Sequence, residues 1–141
     1  MSERVAYLLD TNVLSEPLRP SPDASVLEHL REHRSDLLTA APVWHELVFG
    51  ATRLPASRRR RAIERYLQDV VWATMPILAY DAAAAEWHAR ERARLAAIGN
   101  PRPFVDGQIA AIARINELVL VTANVADFAA FTGVSVEDWR A

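Results

Sequence analysis

Several residue types on which enzymes often depend are missing from this sequence of 141 residues. It has no cysteine, which excludes disulfides, thiolate zinc sites and cysteine nucleophiles. All 16 basic residues are arginine, so a lysine Schiff base and a Walker-A phosphate loop are excluded as well. The 4 glycines, at positions 50, 99, 107 and 133, are too scattered for a dinucleotide-binding Gly-x-Gly-x-x-Gly loop.

Long apolar runs are also missing. No stretch approaches the ~20 apolar residues of a membrane span, and the run from Val5 to Leu9 is too short for a signal peptide. The composition is that of an ordinary globular domain, with 51% apolar residues, 24% charged residues and a net charge of −2. We therefore expect a single domain over residues 1–141, located in the cytoplasm and without membrane contact.

Short β-rich runs alternate with helical patterns, which is typical of an α/β domain with a mainly parallel sheet flanked by helices on both faces. The predicted strands are Val5 to Leu9, Leu37 to Ala40, Pro76 to Tyr80, Leu118 to Val121 and Val134 to Val136. The predicted helices are Pro22 or Asp23 to Arg34, Pro42 to Leu54, Ser57 to Trp72, Ala82 to Ile98 and Phe104 to Asn116. A polar, proline-rich connection is expected between the first strand and the first helix.

The helix from Phe104 to Asn116 has an apolar stripe. Its spacing predicts that four side chains face the core: Val105, Ile109, Ile112 and Ile115.

Four acidic residues fall at the carboxyl edge of the predicted sheet. Asp10 ends the first strand, and Glu46 lies in the first turns after the second. Asp106 lies in the first turn of the helix that enters the fourth strand, and Asp127 follows that strand. These positions converge at one end of a parallel sheet. Carboxylates brought together repel one another unless they are protonated or metal-bound, and their hard oxygens favour Mg²⁺ or Mn²⁺.

Each of these acids, taken alone, also has a purely structural explanation. Asp10 could stabilise a turn, and Glu46 could be a solvated helix residue, although Gly50 one turn on leaves that face open. Asp106 could complement the positive end of a helix dipole. Asp127 could be the third residue of a helix that Asn124 caps. Only the joint placement of the four acids indicates a site.

Four segments, in order along nearly the whole chain, carry a family resemblance. They are residues 10–16 (DTNVLSE), 46–51 (ELVFGA), 104–113 (FVDGQIAAIA) and 120–128 (LVTANVADF). Together they resemble the PIN-domain family and, more narrowly, its VapC-type toxins. The resemblance implies a compact sheet between helices and a ribonuclease that depends on Mg²⁺ or Mn²⁺. It also implies a cognate antitoxin that neutralises the ribonuclease, a two-component toxin–antitoxin module and a homodimer.

The resemblance assigns roles to the acidic residues. Asp10, Glu46 and Asp106 match the three most regular acids of the family. Asp10 and Asp106 are the expected metal ligands, whereas Glu46 or Asp127 would orient the attacking water. The fourth acidic position varies in the family, and Asn124 competes with Asp127 for it here.

Polar neighbours would support these acids. Thr11 and Asn12 are expected to hold the turn of Asp10 through hydrogen bonds, and Thr122 and Asn124 are expected to contribute further polar contacts. The position after Thr122 is often arginine in similar toxins. It is Ala123 in this chain, which leaves the substrate contacts open.

RNA binding requires cations near the acids, and arginine meets phosphate oxygens with two hydrogen bonds. The predicted RNA path consists of the arginines on the helix and loop that lead to Asp106: Arg90, Arg92, Arg94 and Arg102. Arg90 and Arg94 could instead form exposed ion pairs with nearby glutamates. A second basic run, at positions 58–61, begins a predicted helix, where its charge opposes the helix dipole and suggests an anionic partner.

Two other function classes stay open. One is a catalytically silent domain that only binds a protein partner, and lost activity in Asp10→Asn would argue against it. The other is a Mg²⁺-dependent aspartate phosphatase or receiver domain, which usually needs a lysine that this chain lacks. Asn12 also stands where the phosphatase pattern would have a second aspartate. The four histidines, at positions 29, 33, 45 and 88, form no metal-ligand pattern with the acids.

Overall fold

The computed structural model describes residues 4–141, and in it five short strands form one parallel sheet. The strands are β1 (Tyr7–Leu9), β2 (Leu37–Ala40), β3 (Ile77–Leu78), β4 (Val119–Val121) and β5 (Val136–Glu137). Their order is β3-β2-β1-β4-β5, and every adjacent pair is parallel.

Seven α-helices lie within residues 4–141. They are α1 (Thr11–Leu14), α2 (Ala24–Glu32), α3 (Ala41–Thr52), α4 (Arg58–Tyr66), α5 (Ala82–Ala97), α6 (Phe104–Ile115) and α7 (Val125–Phe128). Side-chain oxygens of Asp23, Ser57 and Asp81 accept backbone hydrogen bonds at the starts of α2, α4 and α5. Each therefore replaces a partner that the first helical turn lacks.

The strand order produces a crevice next to β1. The chain leaves β1 towards β2 on one side, while β4 pairs with β1 on the other. With right-handed crossovers, this reversal places helices on both faces of the sheet. In open parallel sheets, ligands bind outside the carboxyl ends of the strands at such a reversal point. The carboxyl ends of β1 and β4 are therefore the expected position of a site.

The core lies between the sheet and helix α6. The central strands are inaccessible on both faces, as shown by Leu8, Leu9, Leu120 and Val121, each 0% exposed. The buried face of α6 is rich in small residues, with Ala110, Ala111 and Ala113 also fully buried, so this helix can lie close to the sheet. Burying this surface stabilises the fold by roughly 25 cal/mol per Å² of apolar area.

The α/β alternation predicted from the sequence is confirmed, and several element boundaries are corrected. The connection after β1 contains helix α1, because the Asp10 carboxylate caps its first turn. The long helix predicted from Ser57 to Trp72 is α-helical only to Tyr66 and continues as a π-helical segment, Leu67–Trp72. The edge strand β3 has only the two residues that pair with β2.

Two further expectations were wrong. The last strand begins later than predicted, because β5 pairs with the final residues of β4 through Val136 and Glu137. In α6, Ile109 and Ile112 are buried as predicted, but Val105 and Ile115 are 39% and 37% exposed. Both lie at the ends of α6, beyond the part that the sheet covers.

No helix among residues 4–141 combines the length and apolar character needed to cross a bilayer.

Candidate active site

Asp10 stands at the carboxyl end of β1, where the chain turns into α1. Its backbone N–H donates to the Val121 carbonyl on β4, over 3.0 Å. One carboxylate oxygen accepts from the Thr11 N–H at 2.8 Å, and the other accepts from the Thr122 hydroxyl at 2.9 Å. The side chain is only 8% exposed. Asp10 therefore spans the crevice between the two central strands in a fixed position.

Asn12 and Thr122 hold this arrangement together from both sides. The Asn12 amide donates to the Thr122 hydroxyl at 3.3 Å and accepts from the Ala123 N–H at 2.9 Å. It also lies 3.5 Å from the Asp10 carboxylate. The Asn124 N–H donates to the Thr122 hydroxyl at 3.1 Å. The expected hydrogen bonds of Thr11, Asn12 and Thr122 are thus present, whereas Asn124 takes part through its backbone.

Glu46 comes from α3 on the other side of β1. Its carboxylate accepts a hydrogen bond of 2.5 Å from the Thr11 hydroxyl. The residue is exposed, unlike Asp10. Thr11 therefore links the two acids, because its N–H binds Asp10 while its hydroxyl binds Glu46.

Asp106 occupies the first turn of α6, and the position of that turn depends on its neighbour Gly107. A Cβ atom on Gly107 would lie 2.1 Å from Nε2 of His88, which is itself 3% exposed. His88 is held in place by a 2.7 Å hydrogen bond to the Tyr80 hydroxyl. Only glycine allows α6 to approach α5 this closely at the residue after Asp106.

Asp127 lies in α7 and is paired with an arginine from the loop before α6. Nη2 of Arg102 lies 3.4 Å from a carboxylate oxygen of Asp127. Nε of Arg102 is buried and has no hydrogen-bond partner among residues 4–141. The guanidinium of Arg102 thus lies in the acidic region with its buried Nε donor still unused.

The pKa shifts of two carboxyls show that the four acids share one neighbourhood. Burial raises the pKa of Asp106, and the charges of Asp127, Asp10 and Glu46 raise it further, while Arg102 opposes them. Burial also raises the pKa of Asp10, with a smaller contribution from Glu46, whereas hydrogen bonds from Thr11 and Thr122 lower it. The fold therefore brings together acids from four separate segments, and their mutual repulsion is incompletely neutralised.

The acids are adjacent without already forming a coordination cage. Within residues 4–141, no three Asp, Glu or His side chains are arranged so that they could hold a metal ion as they stand. Glu46 is turned towards Thr11 and Asp127 towards Arg102, as expected of like charges that each bind a separate donor. The donor set itself consists of carboxylate oxygens, and the pKa values of Asp10 and Asp106 are raised. This chemistry suits a hard divalent cation.

The predicted RNA-binding arginines have different surroundings. Arg90 forms an ion pair of 2.9 Å with Glu86, and Arg94 binds Glu91, which is the alternative that their spacing allowed. Arg92 lies over the ring of Phe104 at 5.2 Å from its centroid. Arg92 and Arg102 are therefore the two members of that set that border the start of α6.

Two features of the site were missed by the sequence analysis. The close contact between Gly107 and His88 joins residues that are 19 positions apart, and the sequence around each of them does not indicate the other. The pairing of Arg102 with Asp127 was also not expected, since the sequence assigned that arginine to RNA. A glycine directly after a site acid was the available signal for the first feature.

Comparisons with known proteins identify the family of this chain. The family model described as PIN domain matches residues 7–133. A tRNA(fMet)-specific endonuclease VapC from Shigella flexneri is 33% identical over 134 residues, which cover 94% of this chain and 97% of that protein.

Two solved structures have the same fold over nearly their full length. FitAB bound to an IR36 DNA fragment matches with a TM-score of 0.88 and 28% identity, covering 96% of each chain. DNA-bound VapBC from Salmonella typhimurium matches with a TM-score of 0.84 and 27% identity, covering 96% of this chain and 99% of that one. The chain therefore belongs to the PIN-domain family and, with its VapC-type relatives, is a nuclease, that is, a hydrolase.

Proposed function

We propose that this nuclease is a divalent-metal-dependent endoribonuclease that uses Mg²⁺ or Mn²⁺ and acts as the toxin of a toxin–antitoxin module. The observation that carries this proposal is the convergence of Asp10, Glu46, Asp106 and Asp127 at the reversal point of the sheet, with the pKa values of Asp10 and Asp106 raised. Such acids gain stability when a cation replaces their mutual repulsion.

Asp10 and Asp106 are the proposed metal ligands. Asp10 is the better fixed of the two, because Thr11 and Thr122 hold one carboxylate oxygen each. When bound, a divalent ion would supply charge stabilisation for the phosphodiester and a lowered pKa for the attacking water. Fixed ligands reduce the reorganisation that such a site would otherwise need.

Glu46 and Asp127 are the residues proposed to orient the attacking water and to accept its proton. Glu46 is exposed and accepts a hydrogen bond from Thr11, so its carboxylate is also accessible to water. Asp127 is balanced by Arg102. A phosphate group that takes the place of Asp127 would accept one hydrogen bond from the freed Nη2 of Arg102 and one from its unused Nε, the two-point contact typical of arginine.

The biological assignment follows from the relatives. VapC of Shigella flexneri is named as specific for tRNA(fMet), so we propose a structured RNA, with a transfer RNA as the first candidate. FitAB and VapBC are complexes that bind DNA, so we propose a cognate antitoxin as the protein partner. The homodimer and the cytoplasmic location stay predictions.

A metal titration with an RNA substrate tests the proposal. Cleavage is expected with Mg²⁺ or Mn²⁺, none is expected in EDTA, and Asp10→Asn is expected to lose on the order of 100-fold or more in kcat/KM. Calorimetry should show Mn²⁺ binding that the variant lacks. Glu28→Gln, at an exposed ion pair with Arg31 on α2, is the control and should cleave like the parent protein.

Full activity in EDTA would contradict metal dependence. A parent protein that binds Mn²⁺ but cleaves no RNA would instead favour the silent protein-binding domain.

A further inference from the structure

A groove leads away from the acids, and none of the predicted RNA-binding arginines lines it. It lies between the segment that follows β1 and the helices α3 and α4, and its volume is about 320 Å³. Thr11 and Glu46 line one end, so the groove opens directly onto the acidic edge. Gly50 lies in its wall, one helical turn beyond Glu46. We call this feature the Gly50 groove.

Gly50 leaves real space in this wall. A Cβ atom at position 50 would meet no heavy atom within 4 Å. This contrasts with Gly107, where the same atom would clash with a buried ring. The glycine at position 50 is therefore not required by the packing of α3, and an empty volume remains beside the acid that it follows.

The lining has two chemical parts. Leu18, Ile63 and Leu67 supply apolar surface, and Leu18 is 36% exposed. Arg59 supplies positive charge from the first turn of α4 and has no ion-pair partner among residues 4–141. Its neighbour in the groove, Arg19, is already paired with Glu16 at 3.2 Å. Arg59 is thus the cation available to a ligand.

We propose that the Gly50 groove binds one nucleotide of the RNA strand adjacent to the phosphate that is cleaved. The base would lie on the apolar surface beside Gly50, and the guanidinium of Arg59 would contact the phosphate or stack on the base. This inference rests on the proposed ribonuclease function and adds to it a substrate subsite outside the acids.

Three properties of the groove favour a nucleotide over a protein segment. It ends at Glu46, so its occupant continues into the position where a phosphodiester meets the acids. Its volume of 320 Å³ is at the lower end of the ~300–1,000 Å³ of small-ligand sites, which suits one nucleotide. Apolar surface with one unpaired arginine also matches the chemistry of a base joined to a phosphate.

Filling the groove and removing its charge test the proposal separately. Gly50→Leu places a side chain in the empty volume, where its Cβ atom has no neighbour within 4 Å, and Gly50→Ala provides a smaller addition. Arg59→Ala removes the charge. Arg65→Ala is the control, because Arg65 lies on the same helix but does not line the groove.

Two measurements are needed. One is the equilibrium binding of a fluorescein-labelled single-stranded oligoribonucleotide in EDTA, followed by anisotropy at several salt concentrations. The other is kcat and KM for cleavage with Mn²⁺. Gly50→Leu should weaken RNA binding and raise KM by about tenfold, as expected when one base contact is lost, and Gly50→Ala should lie between it and the parent protein.

Arg59→Ala should weaken binding and lower the salt slope by about 1, whereas Arg65→Ala should leave both close to those of the parent protein. The shift in melting temperature on adding Mn²⁺ should be the same in all four variants, which shows that the acids are intact.

Parent-like binding and KM in Gly50→Leu would overturn the subsite while leaving metal-dependent cleavage in place. The same result together with lost binding of a partner protein would assign the groove to that protein and would also overturn the proposal. If the parent protein neither binds nor cleaves RNA, the proposed function and the subsite both fail.

Discussion

Two regions of this molecule contain a partly or fully buried carboxylate, and they shift its pKa in opposite directions. At the acidic edge, burial and neighbouring acids raise the pKa of Asp106. On α5, Arg94 donates two hydrogen bonds to Glu91, of 3.0 and 2.9 Å, and the Thr132 N–H adds one of 2.7 Å. These donors lower the pKa of Glu91 to about 2.

The difference distinguishes a carboxylate that stabilises the fold from one that is available to a ligand. Glu91 and Arg94 join α5 to the segment after α7, since Arg94 also donates to the Ala130 carbonyl. Their charges are satisfied within the chain. The carboxylate of Asp106 accepts no hydrogen bond from residues 4–141, and it lies near three other acids, whose effect Arg102 only partly opposes. Its negative charge is therefore available to a cation from outside, which is typical of functional sites.

The largest expected effect comes from disturbing the position of Asp106 rather than its charge. Gly107→Ala should destabilise the protein by about 1–3 kcal/mol, the usual cost of overpacking, because the new Cβ collides with His88. RNA cleavage should fall as the first turn of α6 shifts. Urea denaturation and cleavage rates measure both effects.

Gly50→Ala is the matched control for stability, because nothing lies near its Cβ. It should stabilise the protein by about 0.5–1 kcal/mol through helix propensity. Equal changes in the two variants would show that the contact between Gly107 and His88 does not position α6.

The next effect concerns the satisfied carboxylate. Glu91→Gln should destabilise the protein by about 1–2 kcal/mol, because the variant keeps the volume but loses the charge that Arg94 and Thr132 bind. Chemical denaturation at neutral pH measures the loss. The response of the melting temperature to Mn²⁺ should stay that of the parent protein, since Glu91 lies outside the acidic edge.

The pH dependence of that loss has a defined sign. The pKa of Glu91 is lowered from 4.5 in the unfolded chain to about 2 in the folded protein. Its contribution is therefore fully present above pH 4.5 and disappears as the pH falls towards 2. Parent protein and Glu91→Gln should converge in stability over that interval, and a constant difference would contradict the assignment.

The smallest effect is expected for the unsatisfied carboxylate, and it has the opposite sign. In EDTA, Asp106→Asn should raise the melting temperature by roughly 2–4 °C, because a charge repelled by its neighbours is removed. A raised pKa means that the folded protein loses stability as the pH increases from 3.8 through the folded-state pKa. The variant should lack this decrease.

Added Mn²⁺ should stabilise the parent protein but not Asp106→Asn. A lower melting temperature for the variant in EDTA would show that Asp106 is a structural residue like Glu91, and the comparison between the two regions would fail.

Most of the fold could be predicted from the sequence, because periodicity and turn residues report local structure. The strand around Leu8, the strand after Leu118 and the helix that begins at Ala82 were all predicted near their observed positions. The errors lie where local signals are weak. The short helix α1 depends on a cap by Asp10, and the π-helical segment after Tyr66 leaves no mark in the residue pattern.

The candidate site, like the fold, could be predicted from the sequence only in part. The sequence by itself determined which acids stand at the ends of parallel strands, since strand direction alone places Asp10 and Asp127 at one edge. Only the tertiary structure decided what each charge faces: Thr122 for Asp10, Arg102 for Asp127, and open groove beside Gly50. The physical reason is that hydrogen bonds and repulsion between charges depend on distances of a few ångströms between segments far apart in the chain, which sequence periodicity does not encode.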